Sequence, residues 1–320
     1  MRTLKINLFY QCTAKCNHCR FNCTNENSPE TPDFETPYNT AKKLKTEFGL
    51  DTAVVLGGEP SIFATQTHEL LAKLSSLGVS TRLETNACWA TDAEAADAFL
   101  SPLKASNTSL MLSLDAFHEP YVSFENITRA IESCIKFGIK YNLETPYLNV
   151  QSKSHPIDKK TQELESKIKS MIKDIKIDSG NVIFTGRAAD MYGDEFAIGK
   201  SIPSEPCKKV PWWWDGDIET TQLLILEPNG WLTKGCGIAI GNVHKQDIFE
   251  IVGSYNAYDN PIFSVLLKEG PLGLAREAQK HGYIMKRDYA DSCHLCHESR
   301  QVLKSVYPDI LQPEQHYPAV

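Results

Sequence analysis

Seven of the ten cysteines in this chain of 320 residues fall into two sets whose spacing suits metal ligation. Cys12, Cys16 and Cys19 form a C-x3-C-x2-C loop after the first predicted strand. Three thiolates on so short a loop can take three corners of an iron–sulfur cubane, leaving the fourth iron without a local protein ligand. An open position is where a metal centre does chemistry, whereas closed sites are structural or electron-transferring. A zinc knuckle completed by Cys23 is the alternative. The second set is Cys207, Cys236, Cys293 and Cys296. Its last two members form C-x2-C, its first two bracket a predicted hairpin, and together they complete a four-ligand site. His294 and His297 keep zinc or a mixed ligand set open there.

Other polar residues cluster at predicted strand ends. Thr52–Leu56 leads into Gly57-Gly58-Glu59-Pro60, a turn in which glycines let backbone approach a ligand and Glu59 can accept from an ammonium. The third strand ends in Glu84-Thr85-Asn86. The fourth runs through Ser113 and Asp115 to His118, which reads either as a ligand-facing set or as helix caps and loop bonds. Arg187 follows the sixth strand and can pair with a carboxylate. Cys23, Cys88 and Cys134 are left over as small buried hydrophobes; Cys23 or Cys88, near strand ends, is alternatively a hydrogen-atom donor.

The elements that must position these residues alternate. Residues 3–10, 52–56, 79–85, 107–114, 139–146 and 180–185 read as strands, and 38–48, 66–77, 92–104, 124–138 and 158–175 as helices. Six β/α units in succession predict a parallel sheet with right-handed crossovers, curled into a partial barrel or left open, with chemistry at the C-terminal strand ends. Near Ser201 the pattern changes. Prolines and Trp212, Trp213 and Trp214 form a junction, read as packing between two domains or as the substrate mouth. Strands then flank Pro228-Asn229-Gly230, with helices expected at 246–252 and 272–281. The expected division is residues 1–200 and 201–320.

The cysteine loop, with Gly-Gly-Glu-Pro after the second strand, resembles the radical S-adenosylmethionine (SAM) superfamily. The resemblance implies a partial (β/α)6 TIM-type barrel with a smaller C-terminal α+β domain. It also implies a [4Fe–4S] cluster whose open iron chelates SAM, and one-electron cleavage of SAM to a 5′-deoxyadenosyl radical that abstracts hydrogen from substrate. By family position Gly57, Gly58, Glu59 and Pro60 contact SAM, Glu59 through its amino group. Thr85, Asn86, Ser113 and Arg187 are further SAM contacts, and His18 stands where an aromatic residue meets the adenine. Asp115 and His118 serve SAM or substrate, as catalytic candidates beside Cys23 and Cys88. Residues 226–243 resemble the SPASM and twitch auxiliary-cluster domains, which implies that Cys207, Cys236, Cys293 and Cys296 hold a second [4Fe–4S] cluster of the twitch kind.

Relatives with this layout are peptide epimerases, sugar epimerases and dehydratases, and alcohol dehydrogenases, which implies a peptide or a small-metabolite or sugar substrate. Epimerases often carry a cysteine beside the auxiliary ligand, but here Gly237 follows Cys236. The leader-peptide module fused to many peptide-modifying relatives is not expected before the first strand. A reductant such as flavodoxin or ferredoxin is implied. The net charge of −7, with no Lys/Arg block, disfavours nucleic acid. No stretch approaches the roughly 20 apolar residues that span a bilayer, so a cytoplasmic protein is expected. A reading from another class is a non-catalytic iron–sulfur or zinc protein, which a fourth protein ligand on the first cluster would distinguish.

Overall fold

The computed structural model describes residues 2–27, 32–208 and 217–317, so the Trp212–Trp214 junction lies outside the described residues. The chain divides into two compact units. The first comprises Arg2–Cys16 and Cys23–Val182; the second comprises Asn17–Asn22 and Ile183–Val320.

The first unit is mixed α/β. Its strands β1 (Thr3–Asn7), β2 (Thr52–Leu56), β3 (Ser80–Thr85), β4 (Ser109–Ser113), β5 (Tyr141–Tyr147) and β6 (Ile177–Asn181) alternate with α1 (Glu35–Phe48), α2 (Ala64–Ser76), α3 (Ala93–Leu100), α4 (Leu103–Ser106), α5 (Phe124–Phe137) and α6 (Pro156–Met171). The six strands lie in the order β6-β5-β4-β3-β2-β1, every neighbouring pair parallel, as a partial TIM-type barrel requires. One face is apolar. Leu4, Ile6, Ala53, Val55, Leu83, Leu112 and Leu143 are fully buried on it. The opposite side chains, by two-residue alternation, include Lys5, Glu84, Ser113 and Glu144, and Lys5 pairs with Glu84 at 3.0 Å. Strands covered on both faces ordinarily read as apolar runs, so this polar face marks a lumen.

Helix α5 shows how the local code works. Ser123 caps its start by accepting from Asn126 N–H, Gly138 ends it in the left-handed conformation, and Ile127, Ala130, Ile131 and Cys134 form the buried stripe. The expected helix over 92–104 divides at Pro102, which cannot continue the ladder from α3 into α4. The sixth strand lies at Ile177–Asn181, ahead of the expected 180–185. Val182, Ile183 and Phe184 are buried and apolar, yet their backbone is irregular, because burial alone does not distinguish a strand from a packed turn.

The second unit contains α7 (Arg187–Ala197), an antiparallel sheet β7-β8-β9 (Leu223–Leu226, Trp231–Thr233, Ala239–Asn242), α8 (Ile248–Gly253), α9 (Pro261–Gln279) and α10 (Ser292–Leu303). The β7–β8 turn falls at the expected Pro228-Asn229-Gly230. Helix α9 breaks at Gly270, whose φ of 67° only glycine adopts cheaply, followed by Pro271. A Cβ at Gly270 would stand 2.2 Å from the Glu205 carbonyl oxygen, so the break admits the segment carrying Cys207. No helix among the described residues is long and apolar enough to cross a membrane.

The tightest backbone approach in the first unit is at Gly58, where a Cβ would lie 1.7 Å from Gln11 O. Gly58→Ala should lower stability by about 3 kcal/mol or more, since backbone meets backbone and no rotamer can yield. Urea denaturation checks this; a loss below about 1 kcal/mol would show that the loop relaxes freely.

Candidate functional site

The end of β2 lies against the start of the cysteine loop. Gly58 N–H donates to Phe9 O at 2.7 Å and Glu59 N–H to Gln11 O at 2.9 Å. Beyond this contact Cys12 N–H donates to Thr24 O at 2.9 Å, and Ala14 N–H reaches Cys12 Sγ at 3.4 Å. Asn86 Nδ2, just past β3, donates to Thr13 Oγ1 at 3.1 Å. The Tyr121 hydroxyl donates to Lys15 O at 2.9 Å. The loop up to Cys16 is thus tied to the ends of β2 and β3 and to the segment after β4, with Cys12 and Cys16 buried.

The Glu59 side chain is fully buried. Its carboxylate accepts from Ser61 N–H (3.0 Å), Thr85 Oγ1 (2.8 Å) and Asn86 N–H (2.9 Å). Burial raises its pKa, and these donors pull it back. Glu59, Thr85 and Asn86 therefore come together, but through a carboxylate that links strand ends as well as facing the loop. Cys88 joins this group: its half-buried Sγ is 3.5 Å from Ser61 Oγ, and its N–H donates to Asn86 Oδ1 at 2.9 Å. Cys23 and Cys134 are buried, and burial pushes the Cys134 thiol up to about 12.

After β4, Asp115 is buried and braces its own turn. One carboxylate oxygen accepts from Phe117 and His118 N–H at 2.8 and 2.9 Å, and the other is 2.7 Å from His118 Nδ1. Burial alone would lower the His118 pKa. The Asp115 carboxylate, together with the Cys16 sulfur beside the ring, overrides that and holds the imidazole well above its ordinary value. The His118 ring, held by Asp115, thus stands next to a loop cysteine. The sequence singled out both residues but not their contact with Cys16, which depends on how the loop folds back.

In the second unit the Cys19 carbonyl accepts from Arg187 N–H at 3.1 Å, at the start of α7. Cys207, Cys236, Cys293 and Cys296 line one cavity with Arg20 and Arg300. About 40 Å³ of it is open to water centres, several times the ~10–15 Å³ that admits one water. Burial pushes the Cys207 thiol up to about 12 and raises Cys293 and Cys296, each sulfur adding to the others. Arg300 offsets part of this for Cys207 and Cys296, and a cationic core bound between the sulfurs would favour the thiolates further. Four sulfur donors around one cavity are a set that suits a [4Fe–4S] cubane or a single zinc ion. His294 is engaged elsewhere, its Nε2 3.0 Å from Glu298 Oε1 and its Nδ1 accepting from Ala290 N–H at 3.2 Å. Asp194, His294 and Glu298 lie close enough to hold a cation, but the Lys286 ammonium sits there already, at 2.6 and 2.7 Å from the two carboxylates.

Sequence reasoning passed over Arg20, Arg300 and Glu144. Arg300 stands four residues after Cys296 on the same helix, a legible spacing. Arg20 directly follows Cys19, and Glu144 shares the lumen parity of Asn142 on β5.

Residues 6–158 match the family model described as the Radical SAM superfamily. YydG of Bacillus subtilis (strain 168), a protein provisionally assigned to peptide biosynthesis, is 25% identical over 141 residues. That match covers 42% of this chain and 43% of YydG, so it spans under half the length of either. Among solved structures, native anSMEcpe with bound AdoMet superposes with a TM-score of 0.53 at 15% identity, covering 96% of this chain and 97% of that one. The same protein with AdoMet and the Kp18Cys peptide gives 0.53 at 14% identity, with the same coverage. These likenesses show a shared fold. The family match itself covers the segment that carries Cys12, Cys16, Cys19 and the Gly57–Pro60 turn, so residues 6–158 are the stretch similar to the Radical SAM superfamily.

Proposed function

We propose that this chain cleaves SAM reductively at a [4Fe–4S] cluster held by Cys12, Cys16 and Cys19, and modifies a peptide. The observation that carries the reading is the backbone clamp of Gly58 and Glu59 on Phe9 and Gln11, which ties the start of the cysteine loop to the end of β2. Bound to the open iron, SAM would supply the radical that abstracts hydrogen from an unactivated carbon. The chain's part is to hold and orient. The Gly57–Pro60 turn, Thr85, Asn86, Ser113, Arg187 and His18 are the proposed SAM contacts, and Glu59 and Asn86 fix one another's strand ends. A peptide substrate is supported by the provisional assignment of YydG and by the peptide bound to anSMEcpe. Residues 201–320 are proposed as an auxiliary domain whose four cysteines hold a second [4Fe–4S] cluster, with a flavodoxin or ferredoxin as reductant.

Within the lumen, Glu144 is the group suited to exchanging a proton near neutral pH. Burial and the neighbouring Glu84 carboxylate push its carboxyl up to about 7, against the pull of Lys5. A carboxyl raised above its unfolded value binds more protons when folded. Stability should therefore fall as pH rises from about 4.5 through 7.

Glu144→Gln should flatten that dependence. Its melting temperature should gain on the wild type between pH 5 and pH 8, and parallel curves would show that Glu144 titrates as an ordinary carboxylate. For the reaction, anaerobically reconstituted protein given a strong reductant should form 5′-deoxyadenosine, and replacing Cys12, Cys16 and Cys19 with alanine should abolish it. Formation at the wild-type rate by that triple variant would overturn the assignment. The triple variant should keep about four irons, on the stoichiometry of one cubane, and an absorption band insensitive to SAM. Stoichiometric zinc in their place would instead make the C-terminal site structural.

A further inference from the structure

Arg20 belongs to the same compact unit as the C-terminal cysteines, although it directly follows the last cysteine of the N-terminal loop. Its backbone is clamped. The neighbouring Cys19 carbonyl accepts from Arg187 N–H, and a Cβ at Gly186 would stand 2.5 Å from Arg20 O. Its side chain runs into the four-cysteine cavity, where Nη2 donates to Gly235 O at 2.6 Å, one residue before Cys236. Arg300 enters the same cavity. Its Nε donates to Cys296 O at 3.2 Å, and Nη1 donates to Cys236 O and to the Tyr317 hydroxyl.

Two guanidiniums thus share one cavity, and the charges facing Arg20 are Cys236, Cys293, Arg300 and the buried Glu227. One carboxylate against two guanidiniums leaves an excess of positive charge if the thiols are neutral, and burying uncompensated charge is costly. An anionic four-thiolate cluster removes the excess. Adding an electron makes such a cluster more negative, so nearby positive charge favours the reduced state.

We propose that Arg20 is a positioning residue of the C-terminal iron–sulfur site. Its guanidinium raises the reduction potential of that centre, and its bond to Gly235 ties Cys19 to Cys236 through one side chain. The proposal rests on the four-cysteine cluster reading above.

The test uses the full chain lacking Cys12, Cys16 and Cys19, so that only the C-terminal centre is observed. Iron content and an EPR-monitored redox titration are compared for Arg20, Arg20→Gln and Arg20→Lys. Arg20→Gln should keep about four irons and shift the reduction equilibrium about tenfold toward the oxidised form, about 59 mV for one electron. Arg20→Lys, which keeps the charge, should shift it less than half as far. An unchanged potential in Arg20→Gln at full iron content would overturn the proposal, as would equal shifts in both variants. If Arg20→Gln loses its iron, Arg20→Lys decides: iron at near wild-type potential supports the proposal, and loss of iron there too overturns the electrostatic role. Zinc in the parent with Arg20 intact would refute the cluster reading itself, a separate result.

Discussion

The Gln11 carbonyl oxygen occupies the space where a side chain at position 58 would begin, 1.7 Å from an ideal Cβ. With no Cβ to accommodate, the end of β2 can lie flat on the residues before Cys12 and exchange two backbone hydrogen bonds with them. Each bond contributes about 1 kcal/mol net, so neither alone is strong. Their effect is geometric, because they make the start of the cysteine loop an extension of a sheet rather than a free connection. Asn86, the Glu59 carboxylate and the Asp115–His118 turn then act on a loop already placed. Binding residues held on rigid elements lose less entropy when a ligand arrives, and a cluster with one open position needs that rigidity more than a closed one.

The two units treat buried charge in opposite ways. In the first, acidic groups crowd one another on the lumen face: Glu84 raises the Glu144 carboxyl, and Lys5, paired with Glu84, pulls it back only in part. A lumen of this kind can accept hydrogen-bond donors or an ammonium from a ligand. In the second, the cavity gathers cations and soft donors, with Arg20 and Arg300 among four thiols. Desolvation works against ionised thiols and against paired guanidiniums alike; a cationic core bound by four thiolates would answer both, since the whole is anionic toward the arginines. The first arrangement is therefore suited to substrate, and the second to an inorganic core that stays in place.

Much of the fold is written in periodicity. Six apolar runs at regular spacing lead to six parallel strands, and the β7–β8 hairpin is legible in Pro228-Asn229-Gly230. What periodicity missed has local causes. Helix α7 begins at Gly186, whose φ of 55° is no ordinary N-cap, so the start signal is absent. Gly270-Pro271 reads as a boundary and is one, a non-helical break inside α9, so the expected 272–281 covers only the half beyond it. At the site, residue types and spacing expose ligands but not environments. Nothing in the sequence says that Arg20 and Arg300 are buried among cysteines, or that the Glu59 carboxylate is engaged by three protein donors, since both depend on contacts far apart in the chain.

Gly237 shows how such contacts bear on the reaction. From sequence alone, a glycine after Cys236 is only a departure from relatives that carry a cysteine there. In the structure its φ is 70°, and a Cβ would meet the Tyr317 hydroxyl at 2.9 Å and the His316 side chain at 3.0 Å. The Tyr317 hydroxyl in turn donates to Gly237 O at 2.5 Å and accepts from Arg300. The bonds that hold Arg300 in the cavity are therefore the ones that fill the space a side chain at 237 would need. A side chain at that position would have to displace the Tyr317 hydroxyl and adopt a left-handed backbone, so a thiol there would disturb this arginine arrangement. A reaction that ends by returning hydrogen to a carbon would have to draw it from elsewhere. Of the spare thiols Cys23, Cys88 and Cys134, only Cys88 is more than marginally exposed, and it stands beside the Glu59–Asn86 pair at the strand ends.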